Sequence, residues 1–227
     1  MNKDLIINNL KTMFEDAHCE LDYSNDWQLL IAILLSAQST DKKVNKVTPI
    51  LFSKYPTLKD LKEANFNELK NIIYSIGLSN TKAKNIINLA AILHDKYNDK
   101  VPSTKEELTS LPGIGNKTAN VMLIEYFKIP AFPVDTHVAR VSKRLNLCKD
   151  NDSVKTIEKK LTQKFPKEEW AMLHIRMVLF GRYICKAIKP SCEQCLFNKL
   201  CKYKEAKSIA SNKKICLDIL GEKNEKK

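Results

Sequence analysis

The chain has 227 residues, of which 44% are hydrophobic and 28% are charged, with only five glycines and eight prolines. This composition excludes a disordered or fibrous protein and predicts a folded chain long enough for one large domain or two small ones. The formal net charge of +12 favours a polyanionic partner such as nucleic acid, because each basic side chain that neutralises a phosphate releases a counterion.

The chain begins with an amphipathic segment rather than a targeting sequence. Residues 1–17 contain no basic region followed by an uninterrupted apolar stretch, so we predict no signal peptide. No apolar run approaches the roughly 18 residues of a membrane-spanning helix. We therefore expect no membrane association and a cytoplasmic protein, associated with the nucleoid if the source is prokaryotic.

Apolar residues recur at three- and four-residue spacing through most of the chain, which is the periodicity of helices with one buried face. The pattern predicts helices over residues 27–36, 69–76, 84–93, 119–127, 154–165 and 169–183. Proline and glycine breaks divide the chain into about ten helices. No segment shows the alternation typical of a strand. The sequence therefore predicts an all-α protein.

The segment Leu111–Leu123, LPGIGNKTANVML, predicts a tight hairpin between two helices over about residues 104–126. Pro112 ends the first helix because a residue before proline disfavours the helical conformation. Gly113 and Gly115 permit positive φ angles and leave N–H groups uncovered at the start of the second helix. The hairpin is thus predicted to bind phosphate, and an ordinary helix–helix turn is the alternative.

Lys117 lies in the first turn of the second helix, where the positive end of the helix dipole disfavours an ammonium group. A neutral amine there would be a nucleophile able to form a Schiff base with a sugar carbon. The alternative is an exposed lysine that contacts phosphate. Asp135, in the segment Phe132–Leu145 (FPVDTHVARVSKRL), is a natural N-cap for the next helix. Its carboxylate could also stabilise an oxocarbenium-like sugar cation and assist proton transfer.

Four of the seven cysteines fall within 17 residues, in the pattern Cys-x6-Cys-x2-Cys-x5-Cys. They are Cys185, Cys192, Cys195 and Cys201. In a reducing compartment such a group indicates a metal site rather than disulfides. Zinc is one interpretation, although zinc sites with four cysteines usually contain two Cys-x2-Cys pairs and this chain has only one.

The segments LPGIGNKTANVML and VDTHVARVSKRL together closely resemble the helix-hairpin-helix DNA glycosylases, and in particular the endonuclease III family. The resemblance extends over nearly the whole chain. It implies a bilobal all-α fold with a six-helix barrel lobe and an iron–sulfur cluster lobe. The barrel would comprise residues 19–130, the cluster lobe residues 1–18 with 131–206, and a C-terminal tail residues 207–227.

The resemblance also implies a reaction. Lys117 would be the Schiff-base nucleophile at C1′ of a damaged nucleotide, and Asp135 would be the paired catalytic carboxylate. Base release would be followed by β-elimination, which nicks the strand 3′ to the abasic site. The lysine argues against the adenine-specific branch of the family, and the cysteine cluster argues against the 8-oxoguanine branch. Oxidised pyrimidines are therefore the expected lesions.

Four residues are assigned by the resemblance to DNA binding: Gln38, Leu78, Gly113 and Gly115. Gln38 would enter the gap left by the flipped nucleotide, and Leu78 would insert into the base stack. Without the resemblance, Gln38 is interpreted as a surface residue, and Leu78 could equally face the core. Lys82 and Lys84 lie at the start of the helix that follows Leu78. They are interpreted either as solvated charges or as phosphate contacts.

The cysteine spacing is similar to the [4Fe–4S] motif of the same family, which implies a cluster held by the four cysteines in preference to zinc. We expect a structural cluster, and redox signalling along DNA is the alternative role. The implied partner is double-stranded DNA containing damaged bases or abasic sites, bound by a monomer. Two other classes of function stay open: a non-catalytic hairpin module that binds DNA, and a zinc-stabilised structural adaptor.

Overall fold

The structure is a computed structural model that describes residues 2–203, and all regular elements in that range are helical. The α-helices are α1 (Lys3–Met13), α2 (Asp26–Ser36), α3 (Asp41–Lys54), α4 (Leu58–Lys62), α5 (Phe66–Ile72), α6 (Ser79–Tyr97), α7 (Lys105–Ser110), α8 (Asn116–Glu125), α9 (Thr136–Arg144), α10 (Val154–Lys164) and α11 (Trp170–Tyr183). Short 3-10 helices occupy Tyr74–Ile76, Lys167–Glu169 and Cys192–Gln194. The predicted all-α fold is confirmed, and the predicted tail at 207–227 lies outside the described residues.

Helix boundaries differ from the predicted ones where local geometry intervenes. The segment predicted as one helix over residues 69–76 is divided into α5 and a 3-10 helix that ends before Gly77. Helix α3 has no predicted counterpart, and Pro49 lies inside it. Proline lacks the N–H group that a helix interior requires, so a helix around it is not expected from local rules. None of the described helices has the length and hydrophobicity that a membrane span requires.

One compact unit comprises Cys19–Pro133 and contains α2 to α8. Helix α2 is its centre and packs against α3, α6 and α8. Every residue from Leu29 to Leu35 is at most 4% exposed, because the helix has neighbours on several sides. Each large apolar side chain buried in this way stabilises the fold by about 1.5–3 kcal/mol before the entropy cost of folding is subtracted. Helix α8, the second helix of the hairpin, therefore packs against the core of this unit.

The second unit combines the described parts of Met1–His18 and Val134–Lys227. Helix α11 is its centre and packs against α1 and α9. Gly181 of α11 permits a close approach of α9, since a Cβ atom at position 181 would lie 2.7 Å from the Cβ of His137. Phe180 of the same helix meets Phe197 edge-on at 5.5 Å, which anchors the cysteine-rich segment to the helical core.

Candidate nucleic-acid interface and cysteine site

The hairpin forms where it is predicted. Thr104 caps α7 by accepting the N–H of Glu107 at 3.3 Å, and the chain turns at Gly113, whose φ is +76°. A Cβ atom at position 113 would lie 2.6 Å from Nδ2 of Asn85. Gly115 is the N-cap of α8 and provides no capping side chain, so the first N–H groups of α8 stay available to an anion.

Lys117 is exposed in the first turn of α8. Its side chain makes no hydrogen bond or ion pair with any residue in the described range 2–203. The opposite face of the helix is buried through Ala119 and Met122, each 0% exposed. Helix α8 thus presents the Lys117 amine, which has no partner within residues 2–203, beside the uncovered N–H groups at its own N-terminus.

Asp135 belongs to the other unit and is the N-cap of α9. Its Oδ1 accepts the N–H of Val138 at 2.8 Å, which fixes the orientation of the carboxylate. The second carboxylate oxygen has no hydrogen-bond partner within residues 2–203. The predicted capping role is therefore present, and one oxygen is left for another group.

The sequence interpretation missed Arg140, which lies on the same helix as Asp135. Its Nε donates to the carbonyl oxygen of Cys185 at 3.0 Å, and its Nη2 donates to the carbonyl oxygen of Gly181 at 2.8 Å. The same Nη2 lies 3.1 Å from Nδ1 of His137. Burial lowers the pKa of His137 from its ordinary value, and the positive charge of Arg140 acts in the same direction. The contact between Arg140 and the carbonyl group of Cys185 joins residues 45 positions apart, so it is not a recognisable pattern in one sequence.

Gln38 and Leu78 are both exposed, and both have left-handed backbone conformations, with φ of +55° and +52°. The side chain of Leu78 is 56% exposed, so the alternative that it faces the core is wrong. A left-handed conformation is uncommon for residues other than glycine and costs about 1–3 kcal/mol, so each turn is held in place by surrounding contacts. Gln38 follows the end of α2, and Leu78 is the residue from which α6 begins.

Lys82 is only 4% exposed, so the prediction of a solvated or phosphate-binding charge is wrong. Its Nζ donates to the carbonyl oxygens of Leu35 at 2.9 Å and Ala37 at 2.7 Å. Burial lowers the pKa of this ammonium group. One sequence signal was available, because Lys82 shares a helical stripe with the buried Ile86 and Leu89.

The four clustered cysteines line one cavity that is partly open to solvent. Cys185 and Cys192 are buried, and Cys195 and Cys201 are partly buried. All six cysteines of the described chain are thiols rather than disulfides. Within residues 2–203, no group of three or more His, Cys, Asp or Glu side chains is arranged to hold a metal ion. All four cysteines nevertheless line the same cavity, and four cysteine thiolates are the ligand set of a [4Fe–4S] cluster.

Hydrogen bonds to sulfur support the same fit. Arg144 Nη1 donates to Sγ of Cys185 at 3.4 Å, and the N–H of Phe197 donates to Sγ of Cys195 at 3.4 Å. The N–H of Tyr203 donates to Sγ of Cys201 at 3.5 Å. Such donors stabilise thiolate ligands and tune iron–sulfur clusters. Burial raises the pKa of the Cys195 thiol to about 11.

Arg144 was also missed from sequence. Its guanidinium donates to the carbonyl oxygens of Lys186 at 2.7 Å and Ala187 at 3.2 Å, and it lies 3.9 Å from the centroid of the Tyr203 ring. This one side chain therefore connects the end of α9 to the beginning and the end of the cysteine segment.

A family model described as HhH-GPD superfamily base excision DNA repair protein matches residues 31–167. Endonuclease III of Bacillus subtilis is 46% identical over 199 residues, which cover 88% of this chain and 91% of that protein. Endonuclease III of Rickettsia felis is 47% identical over 184 residues, which cover 81% of this chain and 86% of that protein.

Solved structures give the same result. A trapped endonuclease III–DNA covalent intermediate is 50% identical, with a TM-score of 0.86, and the match covers 91% of this chain and 96% of that chain. A non-covalent endonuclease III–DNA complex is 51% identical, also with a TM-score of 0.86, and covers 90% of this chain and 95% of that chain. The similarity thus includes both units of the fold.

Proposed function

Because the chain belongs to the HhH-GPD superfamily of base excision DNA repair proteins, we propose that it is a bifunctional DNA glycosylase and abasic-site lyase. Its substrate is duplex DNA containing oxidised pyrimidines or abasic sites. One observation carries the proposal. The exposed Lys117 amine stands beside an uncapped hairpin turn, in a chain 50% identical to an endonuclease III that was trapped covalently on DNA.

Lys117 begins the reaction on a nucleotide flipped out of the duplex. Its neutral Nζ bonds to C1′, the glycosidic bond breaks, and the base leaves with a proton. The electron-poor sugar that develops is stabilised by the carboxylate of Asp135, whose oxygen not bonded to Val138 is available for this role. Asp135 also accepts a proton from the lysine nitrogen, because the amine loses protons as it becomes an imine. Formation of the C=N bond breaks the C1′–O4′ bond and opens the sugar ring, and the freed O4′ takes up a proton to become a hydroxyl group.

The second activity follows from the covalent intermediate. The imine nitrogen acts as an electron sink, so a proton is lost from C2′ and the bond from C3′ to its phosphate oxygen breaks. This β-elimination nicks the strand on the 3′ side of the lesion, and water then hydrolyses the imine and regenerates Lys117. The N–H groups at the start of α8, beside Gly115, bind a backbone phosphate and hold the strand during both steps.

Gln38 and Leu78 keep the duplex open. An exposed apolar side chain such as Leu78 compensates the stacking lost when a nucleotide leaves the helix. The amide of Gln38 offers both donors and acceptors to the bases that face the gap. Both residues extend from turns of the same unit that carries Lys117.

We further propose that Cys185, Cys192, Cys195 and Cys201 hold a [4Fe–4S] cluster. When bound, the cluster crosslinks the cysteine segment and so stabilises the fold of its unit. The four thiols around one cavity and the N–H groups directed at sulfur support a bound metal group, and the cysteine spacing, with only one Cys-x2-Cys pair, supports the cluster over zinc. A cytoplasmic location fits the proposal, because a reducing compartment keeps the ligand thiols available.

The test of catalysis is covalent trapping. Borohydride added to the protein with abasic-site DNA should reduce the imine and leave a stable protein–DNA adduct through Lys117. Lys117→Gln should abolish the adduct and retain DNA binding. Lys100→Gln removes an exposed lysine from a loop of the same unit and should trap as well as the wild type. A wild-type protein that binds abasic-site DNA but gives no adduct would favour the non-catalytic hairpin module.

The cofactor is tested separately. Protein purified without oxygen should be brown and should contain about four iron and four sulfide ions per chain. A colourless protein that contains one equivalent of zinc would show that the cysteines hold zinc and not a cluster. The trapping experiment would remain a valid test of catalysis in that case.

A further inference from the structure

Two turns of the unit Cys19–Pro133 share an unusual backbone state. Gln38 and Leu78 both have left-handed conformations, although neither is glycine. Neither turn is closed by a capping side chain of its own. The turn after α2 is closed by backbone bonds alone, from the Ala37 N–H to the carbonyl oxygen of Leu34 at 3.4 Å and from the Ser39 N–H to the carbonyl oxygen of Ser36 at 3.0 Å. α6 begins at Leu78 with no side-chain cap. Any side-chain support for either turn must therefore come from another part of the fold.

Lys82 supports both turns. It lies in the first turns of α6, where its N–H donates to the carbonyl oxygen of Leu78 at 3.0 Å. Its side chain reaches α2 and donates to the carbonyl oxygens of Leu35 and Ala37, the latter directly before Gln38. A single residue thus bonds to the backbone on the N-terminal side of Gln38 and to the backbone of Leu78 itself.

The positive charge of Lys82 indicates which helix end its side chain stabilises. No carboxylate in the described chain forms an ion pair with it, and it is almost fully buried. A cation near the start of α6 is disfavoured by that helix's own dipole. It is favoured at the end of α2, where the final carbonyl groups of the helix lack partners within it. The lysine therefore stabilises the junction of two helix ends, and it does not stabilise α6 alone.

We propose that Lys82 is a positioning residue that fixes the Gln38 and Leu78 turns relative to each other, so that both side chains enter damaged DNA together. The inference rests on the proposed function, because it takes these two residues as the ones that open the duplex. Lys82 does not touch DNA in this role. It acts through the two turns whose backbone it joins.

The experiment is a mutant cycle read out as discrimination between damaged and undamaged DNA. Binding is measured to a duplex with one tetrahydrofuran abasic-site analogue and to the same duplex without it. Lys82→Met keeps the aliphatic volume and removes the donors, and it should lower the ratio of the two affinities by about tenfold. In a Gln38→Ala/Leu78→Ala background, the same substitution should leave the ratio unchanged, because residues that act as a unit are not additive.

Lys84→Met is the matched control, since Lys84 is exposed and lies two residues further along α6. Loss of this charge should weaken both affinities equally and leave their ratio intact. Lys82→Gln retains a hydrogen-bond donor group and is the milder variant if Lys82→Met fails to fold. It should lower the affinity ratio by less than Lys82→Met does.

Two results would overturn the inference: an unchanged ratio in folded Lys82 variants, or an equal loss in both backgrounds. A wild-type protein that fails to discriminate the two duplexes would instead reject the proposed function, and the inference with it.

Discussion

Oδ1 of Asp135 lies 2.8 Å from the backbone nitrogen of Val138, so the proposed catalytic carboxylate is also the N-cap of α9. Substitutions can separate these two roles. Asp135→Asn keeps a good capping acceptor and removes the charge, so we expect unchanged stability and loss of base excision. Asp135→Ala removes both and should also destabilise the protein by about 1 kcal/mol. Thermal unfolding and single-turnover cleavage measure the two effects. Full activity in a folded Asp135→Asn protein would exclude the catalytic role.

Gly113 is predicted to be required for the full stability of the hairpin turn. Gly113→Ala forces a Cβ atom onto a backbone with φ of +76° and against the side chain of Asn85. The expected cost is about 1–2 kcal/mol of unfolding free energy. The double variant with Asn85→Ala tests the origin of this cost, because it removes the contacts to Nδ2 and Cγ of Asn85 and leaves the 3.1 Å contact to its Cβ and the backbone strain. Denaturant titration of both variants gives the comparison, and a neutral Gly113→Ala would contradict the turn geometry.

Gly115 is predicted to respond in the opposite way. It has an extended backbone, with φ of −96°, and open space where a side chain would project. Gly115→Ser should therefore fold at least as well as the wild type, because serine is a good N-cap. Its hydroxyl would occupy the N–H groups that we assign to phosphate, so DNA affinity should fall by about tenfold. Affinity is measured at fixed salt concentration. Unchanged affinity would remove this turn from the DNA interface.

Arg144 is predicted to protect the cysteine site. Its guanidinium donates to Sγ of Cys185 and to two carbonyl groups of the following loop. In cluster-loaded protein, Arg144→Met should speed the loss of visible absorbance under an iron chelator by about tenfold. Lys143→Met removes the same charge from the neighbouring position, where no contact to a cysteine ligand is made, and should have little effect. Equal rates in the two variants would disprove the role of the guanidinium contacts.

His137 is predicted to make stability depend on pH. Burial lowers the pKa of the folded-state imidazole below the unfolded value of about 6.5. Below that pH the unfolded chain binds a proton that the folded chain does not, so the free energy of unfolding falls as pH decreases from about 6.5 towards the folded pKa. His137→Asn should flatten this slope. The measurement is unfolding free energy at several pH values, and equal slopes would count against the effect.

The sequence by itself determined the features that depend on neighbours along the chain. Helical periodicity predicted the all-α fold, Asp135 was recognisable as a cap, and the glycine spacing predicted the hairpin before Lys117. The four cysteines were recognisable as one group because they lie within 17 residues. In each case the controlling interaction connects residues only a few positions apart, so the pattern is visible without coordinates.

Only the tertiary structure decided the features that depend on distant segments. Lys82 is buried because α6 packs across the end of α2, and its hydrogen-bond partners are 45 and 47 positions away. Leu78 is exposed although it is apolar, and the close approach at Gly181 depends on a helix that lies earlier in the chain. From sequence alone, a lysine is predicted to lie at the surface. The backbone carbonyl groups that accept hydrogen bonds from the buried ammonium group, and so compensate its loss of water, cannot be identified from the side chains of their residues.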